Sequence, residues 1–389
     1  MPDADLEAYL RTAIEERKAA NALRALTLPG DRIDFCSNDY LGFARSRQLR
    51  SMVQERHARC ENDFLGSTGS RLISGNSVLC ESLEARIADF HGANAGLIFN
   101  SGYDANLGLI SCVPQRSDTV LYDGLAHASI RDGLRLTFAK SYSFRHNDLD
   151  DLKQKIGLGR GQVFVAVESI YSMDGDAAPL PEMAELCRDH SCHLIVDEAH
   201  ATGVFGPGGR GRTVELGLTD EVFARVHTFG KGLGSHGAIV LGSDTLRTFL
   251  INFARSFIYT TFLPPHSLLA IQSAYDVLGE SQRLIENLHD NIQLFRSGIP
   301  AELGKSFIES DSPIQCLLIS GNERVRHAAR YLGGEGFDVR PILSPTVPRG
   351  KERLRICLHA FNTSKDIQRL TELLRTCLQG AARPAVAGS

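Results

Sequence analysis

The chain has 389 residues, 43% of them apolar and 23% charged, an ordinary globular composition with material for two or three domains at ~150 residues each. Lys and Arg number 42 against 46 Asp and Glu, a net charge of −4, so no basic footprint for nucleic acid or anionic lipid is present. No stretch reaches the ~18 uncharged apolar residues of a membrane span, and the charged start MPDADLEAYLRTAIEERK has no signal-peptide core, so a cytoplasmic enzyme is expected.

Leu6, Leu10 and Ile14 recur at helical spacing and predict an amphipathic helix over 5–25. A turn at Pro29-Gly30-Asp31 leads to a short strand at 33–37. Strand-like and helix-like runs then alternate. Strands are expected at 96–99, 119–122, 163–168, 193–197, 225–229 and 237–242, short and rich in Val, Ile and Leu, as suits strands buried on both faces. Helical patterns at 77–91, 148–156 and 181–190 lie between them. The pattern changes after about residue 276. A long polar helix at 279–295 precedes strands at 314–319, 337–340 and 353–358 and helices at 323–332 and 364–378. The expected fold class is α/β: a large domain with a mostly parallel sheet covered by helices, followed by a smaller α+β domain. The boundaries fall at 1–44 for an N-terminal helix and short strand, 45–276 for the large domain and 277–389 for the C-terminal domain.

The chemistry begins at HLIVDEAHATG (193–203). An apolar strand ends in Asp197, with His200 three residues on. Acids at the carboxyl end of a buried strand sit where open α/β sheets build their sites, although a capped strand end accounts for this piece taken singly. A helicase reading of Asp-Glu-Ala-His requires a G-x-x-x-x-G-K-[ST] loop, and the chain has none. In VHTFGKGLGSHG (226–237), Lys231 follows an apolar run and is flanked by Gly230, Gly232 and Gly234. Poor solvation there depresses a lysine's pKa and frees the amine for Schiff-base chemistry. Lys231 lies 231 − 197 = 34 residues beyond Asp197, one helix-and-strand unit along the chain.

An aspartate followed by such a lysine is what pyridoxal phosphate requires. The carboxylate pairs with the pyridine nitrogen and the lysine holds the aldehyde carbon. NSGYDAN (100–106) follows a strand and opens a helix, so the N–H groups of Gly102 and Tyr103 face an anion, with the Thr228 hydroxyl as a further donor. Nine cysteines without a C-x-x-C pair argue against a disulfide framework or a metal site, and reduced thiols with no role are expected.

Six motifs occur in order: SNDYLG (37–42), GSTGSRLISGN (66–76), LAHASIRDG (125–133), SIYSMDGDAAPL (169–180), DEAHATGVFGPGGRG (197–211) and TFGKGLG (228–234). Together they resemble the α-oxoamine synthases, pyridoxal-phosphate enzymes with the aspartate-aminotransferase (fold type I) architecture. The likeness runs from about Leu6 to Leu374. It implies Lys231, Asp197, His127 and His200 as the catalytic set. His127 stacks on the ring and meets substrate, while His200 and Ser172 lie near the ring hydroxyl. Gly102, Tyr103 and Thr228 form the phosphate cup, and Thr260 or Thr261 reaches the phosphate of a neighbouring subunit, which makes a homodimer the expected state. Arg355 receives the amino-acid carboxylate with Asn38 assisting, and Arg24 and Thr346 contact substrate. Without the resemblance, Arg353 and Arg355 would read as a solvated edge strand.

The implied reaction is condensation of an amino acid with an acyl thioester, followed by loss of carbon dioxide. ERKAANALRAL, IYTTFLPP and PTVPRGKERLRICL are most like the branch serving biotin synthesis, which implies L-alanine and a pimeloyl thioester on coenzyme A or an acyl carrier protein. Glycine with acetyl-CoA, serine with a long acyl-CoA, and an aminotransferase on the same fold are the alternatives. One departure stands out. Only eight residues separate Arg24 from Ile33, where the family carries a longer segment with a small hairpin, so a more open acyl entrance is expected.

Overall fold

The computed structural model describes residues 6–28, 30–60 and 64–381, with side chains to residue 376. The expectations for Asp5 and Pro29 lie outside the described residues. In chain order the strands are β1 (Ile33–Asp34), β2 (Ala95–Phe99), β3 (Thr119–Asp123), β4 (Lys140–Phe144), β5 (Val163–Glu168) and β6 (His193–Asp197). They continue with β7 (Val222–Thr228), β8 (Ala238–Gly242), β9 (Ile314–Leu318), β10 (Phe337–Asp338), β11 (Arg340–Ile342) and β12 (Arg353–Cys357). Two compact units form. The larger comprises Asn38–Ser172 with Asp176–Leu288, and the smaller Met1–Ser37, Met173–Gly175 and His289–Ser389. The boundary expected at 276 falls inside the helix Pro265–Gly279.

The larger unit is built on a seven-stranded sheet ordered β2-β8-β7-β6-β5-β3-β4. The pairs from β7 through β4 are parallel, whereas β8 runs antiparallel to both its neighbours. The reversal follows from chain length. Only residues 229–237 join β7 to β8, too few for the crossover a parallel pair needs. Strand side chains alternate between two cores. Val120, Phe164, Ala166 and Ile195 pack on one face with Leu109 and Ile130. Leu121, Val165, Val167, Leu194 and Val196 pack on the other with Leu152 and Met183. Burial on both faces is why these strands read as continuous apolar runs. Strand β4 gives no such signal, because KSYSF sits at the sheet edge with Lys140, Ser141 and Ser143 exposed.

Helix caps fall where the sequence supplies them. Ser77, Ser101 and Asp148 each accept a backbone N–H with the side chain at the start of the helices Val78–Phe90, Gly102–Cys112 and Leu149–Ile156. Because six of the seven strands run one way, Phe99, Asp123, Glu168, Asp197 and Thr228 all end at one edge of the sheet, with the helix Gly102–Cys112 opening just beyond β2.

The smaller unit holds the antiparallel sheet β11-β12-β9 and the parallel pair β1-β10. The strand expected at 337–340 is two strands, since β10 pairs with β1 and β11 with β12. The N-terminal helix spans Leu6–Ala19 and stops short of residue 25, ending before Asn21 in the left-handed region at φ 50. Its apolar positions are not core. Leu6, Leu10 and Ile14 are 67%, 45% and 45% exposed.

At the edge of the larger sheet, His146 bridges Asp123 (Nδ1 to Oδ1, 2.8 Å) and Asp176 (Nε2 to Oδ2, 2.7 Å). Burial opposes its charge, but the two carboxylates outweigh it and hold the imidazolium to about pH 10, above the ordinary 6.5. A raised folded-state pKa makes this contribution complete below the unfolded pKa and lost as pH rises through 10. His146→Ala is therefore expected to lower unfolding stability near neutral pH by about 1.5–3 kcal/mol. Denaturant melts should show the gap to wild type narrowing as pH rises from about 6.5 to about 10 and levelling above that, and a gap constant with pH would contradict the clamp.

Candidate active site

Strand β6 delivers Asp197 to the sheet edge, 5% exposed. A carboxylate buried so far needs donors, and it has them. The Ala199 N–H donates to Oδ1 at 2.8 Å and Asn106 Nδ2 to Oδ2 at 2.6 Å. Asn106 stands four residues into the helix Gly102–Cys112 and also donates to Ser129 Oγ at 3.0 Å. Ser129 is 2.8 Å from His127 Nδ1 through its hydroxyl, and its N–H donates to the same nitrogen at 3.2 Å, so His127 caps the helix Ala128–Leu136. With Nδ1 accepting, the proton of the neutral ring sits on Nε2. Burial holds His127 below its ordinary pKa, with Lys231 adding to that effect and Asp197 opposing it.

Lys231 occupies the β7–β8 connection. Its Nζ lies 2.8 Å from His200 Nε2, His200 Nδ1 lies 2.7 Å from the Tyr40 hydroxyl, and Tyr40 donates to Asn38 Oδ1 at 3.1 Å. Donors and acceptors alternate consistently if Lys231 donates to His200 and His200 to Tyr40. The connection is tightly seated: Gly234 has φ +56, and a Cβ there would come 2.1 Å from Ala44 N. No L side chain fits that position.

Lys231, Asp197, His127, Gly102, Tyr103, Thr228 and Asn38 line one cavity of about 270 Å³, together with Asn106, Ser129 and Glu168. Ser101 takes the N–H groups of Asp104 (3.1 Å) and Ala105 (3.0 Å), leaving Gly102 and Tyr103 as first-turn amides at the cavity wall. Gly102 is sterically required, because a Cβ there would meet Thr228 Cγ2 at 2.5 Å. A helix N-terminus for a phosphate, a buried carboxylate for a ring nitrogen and a lysine for an aldehyde fit pyridoxal phosphate group by group.

Other expected positions lie outside this lining. His200 reaches the cavity through Lys231, and the Ser172 N–H donates to Glu168 Oε2 at 3.2 Å. Thr260 and Thr261 are held by Asn100, whose Nδ2 donates to Thr260 Oγ1 at 3.1 Å and to the Thr261 carbonyl at 2.7 Å. Within the smaller unit, Arg24 Nη2 donates to Thr346 Oγ1 at 2.9 Å, joining two expected substrate contacts 322 residues apart. Arg355 is buried on β12, the middle strand of its sheet, and not on an edge. Its neighbour Arg353 is an ion-pair partner of Asp174. Asn106, Ser129, Tyr40 and Glu168 escaped the sequence reading. The signal for Glu168 was present, since VFVAVE ends in an acid just as HLIVD does.

Residues 30–374 match the family model for class I and II aminotransferases. A curated 8-amino-7-oxononanoate synthase from Emericella nidulans is 44% identical over 395 residues, covering 95% of each chain. Another from Marinobacter nauticus is 38% identical, covering 93% of this chain and 94% of its own. The chain belongs to the 8-amino-7-oxononanoate synthase family. A solved serine palmitoyltransferase from S. paucimobilis with PLP bound superposes with a TM-score of 0.88 at 26% identity, covering 97% of this chain and 99% of that one. The protein is thus a pyridoxal-phosphate-dependent acyltransferase of the α-oxoamine synthase type, on the aspartate-aminotransferase architecture expected from its motifs. No described helix is long and apolar enough to cross a membrane.

Gly102→Ala should crowd Thr228 and weaken cofactor binding by about tenfold or more, read by absorbance titration of the apoenzyme. Unchanged affinity would remove Gly102 from the phosphate cup.

Proposed function

We propose that the enzyme condenses L-alanine with a pimeloyl thioester, giving 8-amino-7-oxononanoate, carbon dioxide and free thiol. Cα gives up its proton and gains a bond to the acyl carbon as the carbon–sulfur bond breaks and the thiol leaves, and Cα then loses its carboxylate as carbon dioxide and takes up a proton in its place. The observation that carries the reading is the 44% identity, over 95% of each chain, with an enzyme of that name. The convergence of Lys231 and Asp197 on one cavity supports the chemistry. When bound, pyridoxal phosphate supplies an aldehyde for an amine and an electron-withdrawing ring.

In this reading Lys231 holds the cofactor and then, as a free amine, takes the proton from the substrate Cα. His200, 2.8 Å from Nζ, orients that amine and passes its hydrogen bond on to Tyr40. Asp197, fixed by Asn106 and the Ala199 N–H, keeps the ring nitrogen protonated. His127 packs on the ring face. Arg355 takes the substrate carboxylate through its two-pronged guanidinium, with Asn38 assisting. Arg24 and Thr346 contact substrate, and the short segment after Arg24 widens the range of acyl chains accepted. Thr260 or Thr261 completes the phosphate site of a second subunit, so the active form is a homodimer in the cytoplasm. An acyl carrier protein can deliver the thioester in place of coenzyme A.

Thiol release should be fastest with L-alanine and a pimeloyl thioester in a panel that includes glycine, L-serine, acetyl and palmitoyl thioesters. One methyl group discriminates by only ~1–3 kcal/mol, so slower turnover of glycine is expected. Preference for serine with palmitoyl, or glycine with acetyl, would overturn the substrate assignment. Borohydride reduction of the loaded enzyme should fix the cofactor to Lys231 and to no other lysine. Asp197→Asn should keep the fold and lower kcat by about 10²–10³, the loss typical of a removed transition-state stabiliser. Arg355→Lys should raise KM for the amino acid by about tenfold or more, as expected where a two-pronged contact becomes a single one.

A further inference from the structure

RLRIC forms β12, the middle strand of the smaller unit's antiparallel sheet, and alternate side chains on a strand share one face. Arg353, Arg355 and Cys357 therefore lie along one face, and all are buried. Register sets Arg340 of β11 and Cys316 of β9 on either side of Arg355, on the same rung. A face with three guanidinium groups needs acceptors for each of them.

The three are met in different ways. Arg340 Nη2 donates to Asp338 Oδ2 at 3.0 Å, and Arg353 forms an ion pair with Asp174. Both of those acceptors are carboxylates. Arg355 Nη1 donates to Cys357 Sγ at 2.9 Å, a contact of another kind. Its direction is fixed by chemistry, since a guanidinium carries N–H donors and no acceptor. Cys316, the other thiol beside Arg355, directs its S–H at the Met173 carbonyl, 3.1 Å away.

A thiol offers an acceptor without a formal charge. It steadies a guanidinium nitrogen without cancelling the positive charge, whereas a carboxylate at position 357 would compete with an anionic ligand for it. One N–H given to sulfur does not use up the fork that matches a carboxylate. An arginine held in place before its ligand arrives also loses less rotamer freedom on binding. We propose that Cys357 is a positioning residue for the amino-acid substrate, its sulfur fixing the Arg355 guanidinium in the orientation that receives the substrate carboxylate. The inference rests on the role proposed above for Arg355 and concerns the amino acid, not the acyl chain.

The test is amino-acid binding to the full-length, pyridoxal-phosphate-loaded enzyme with no thioester present, read by absorbance titration. L-Alanine is compared with ethylamine, which has the same amine and methyl groups but no carboxylate. Cys357→Ala should bind L-alanine about fivefold or more weakly than wild type and bind ethylamine as wild type does. Cys357→Val fills the space without offering an acceptor and should match Cys357→Ala. Cys357→Ser restores a neutral acceptor of nearly the same shape and should recover most of the lost affinity. In turnover assays the loss in Cys357→Ala should fall on KM for L-alanine and not on KM for the thioester. Equal weakening of L-alanine and ethylamine overturns the inference, because only a general distortion treats the two alike. So does a Cys357→Ser protein no better than Cys357→Ala. Arg355→Lys separates the two possible failures. If it binds L-alanine as tightly as wild type, the role of Arg355 falls and the inference falls with it. If it binds weakly while Cys357→Ala matches wild type, the inference falls and the role of Arg355 stands.

Discussion

The site depends on a negative charge kept deep at the end of a buried strand. Asp197 is stable there because two fixed donors meet it, and each donor commits another part of the chain. Asn106 ties the carboxylate to the helix whose first turn offers anion-binding amides. Its second bond runs to Ser129, and through Ser129 to His127 at the start of the next helix. One carboxylate thus sets the register between itself, the first turn of that helix and the His127 imidazole. A ligand that must touch all three at once gains from their being rigid before it arrives.

The second fixed relation is a matter of chain length. A parallel crossover after β7 would carry the chain away over the sheet face, whereas nine residues force it straight back as β8. Lys231 sits in that reversal, in a backbone so close to Ala44 that Gly234 tolerates no side chain. The lysine's amine is then steadied by a buried histidine and tyrosine. The one strand that breaks the parallel pattern is the one whose return fixes the position of Lys231.

Much of this was legible in the residues themselves. Strands buried on both faces announce themselves as short Val-, Ile- and Leu-rich runs, and their boundaries came within a few residues. Strand β4 did not, because an edge strand of Lys, Ser and Tyr carries no apolar signal. The strand expected at 337–340 was divided by pairing, a property of partners and not of local sequence. The N-terminal helix shows the converse, since a clear apolar periodicity there meets solvent. Asp197 and Lys231 stood out by chemical type and spacing. Asn106 and Ser129 could not, because a polar residue in a helix acquires meaning only once the fold shows what it faces. The likeness of VFVAVE to HLIVD was available, and it becomes informative when pairing puts their terminal acids on one rung.

The strand order also has a consequence in time. Strand β2, whose end opens the helix Gly102–Cys112, has a single neighbour among the described strands, β8, and Ala95 meets Gly242 there. The chain emerging from the ribosome must wait 147 residues before that neighbour exists. Until then β2 has no strand to pair with, and the loop to be closed is more than a third of the chain. Strands β3, β5 and β6 can pair as they appear, so the middle of the sheet can form first and β2 join last. A nascent chain cut short before residue 238 would hold Asp197 and Lys231 yet lack the strand that pairs with β2 and closes this side of the sheet.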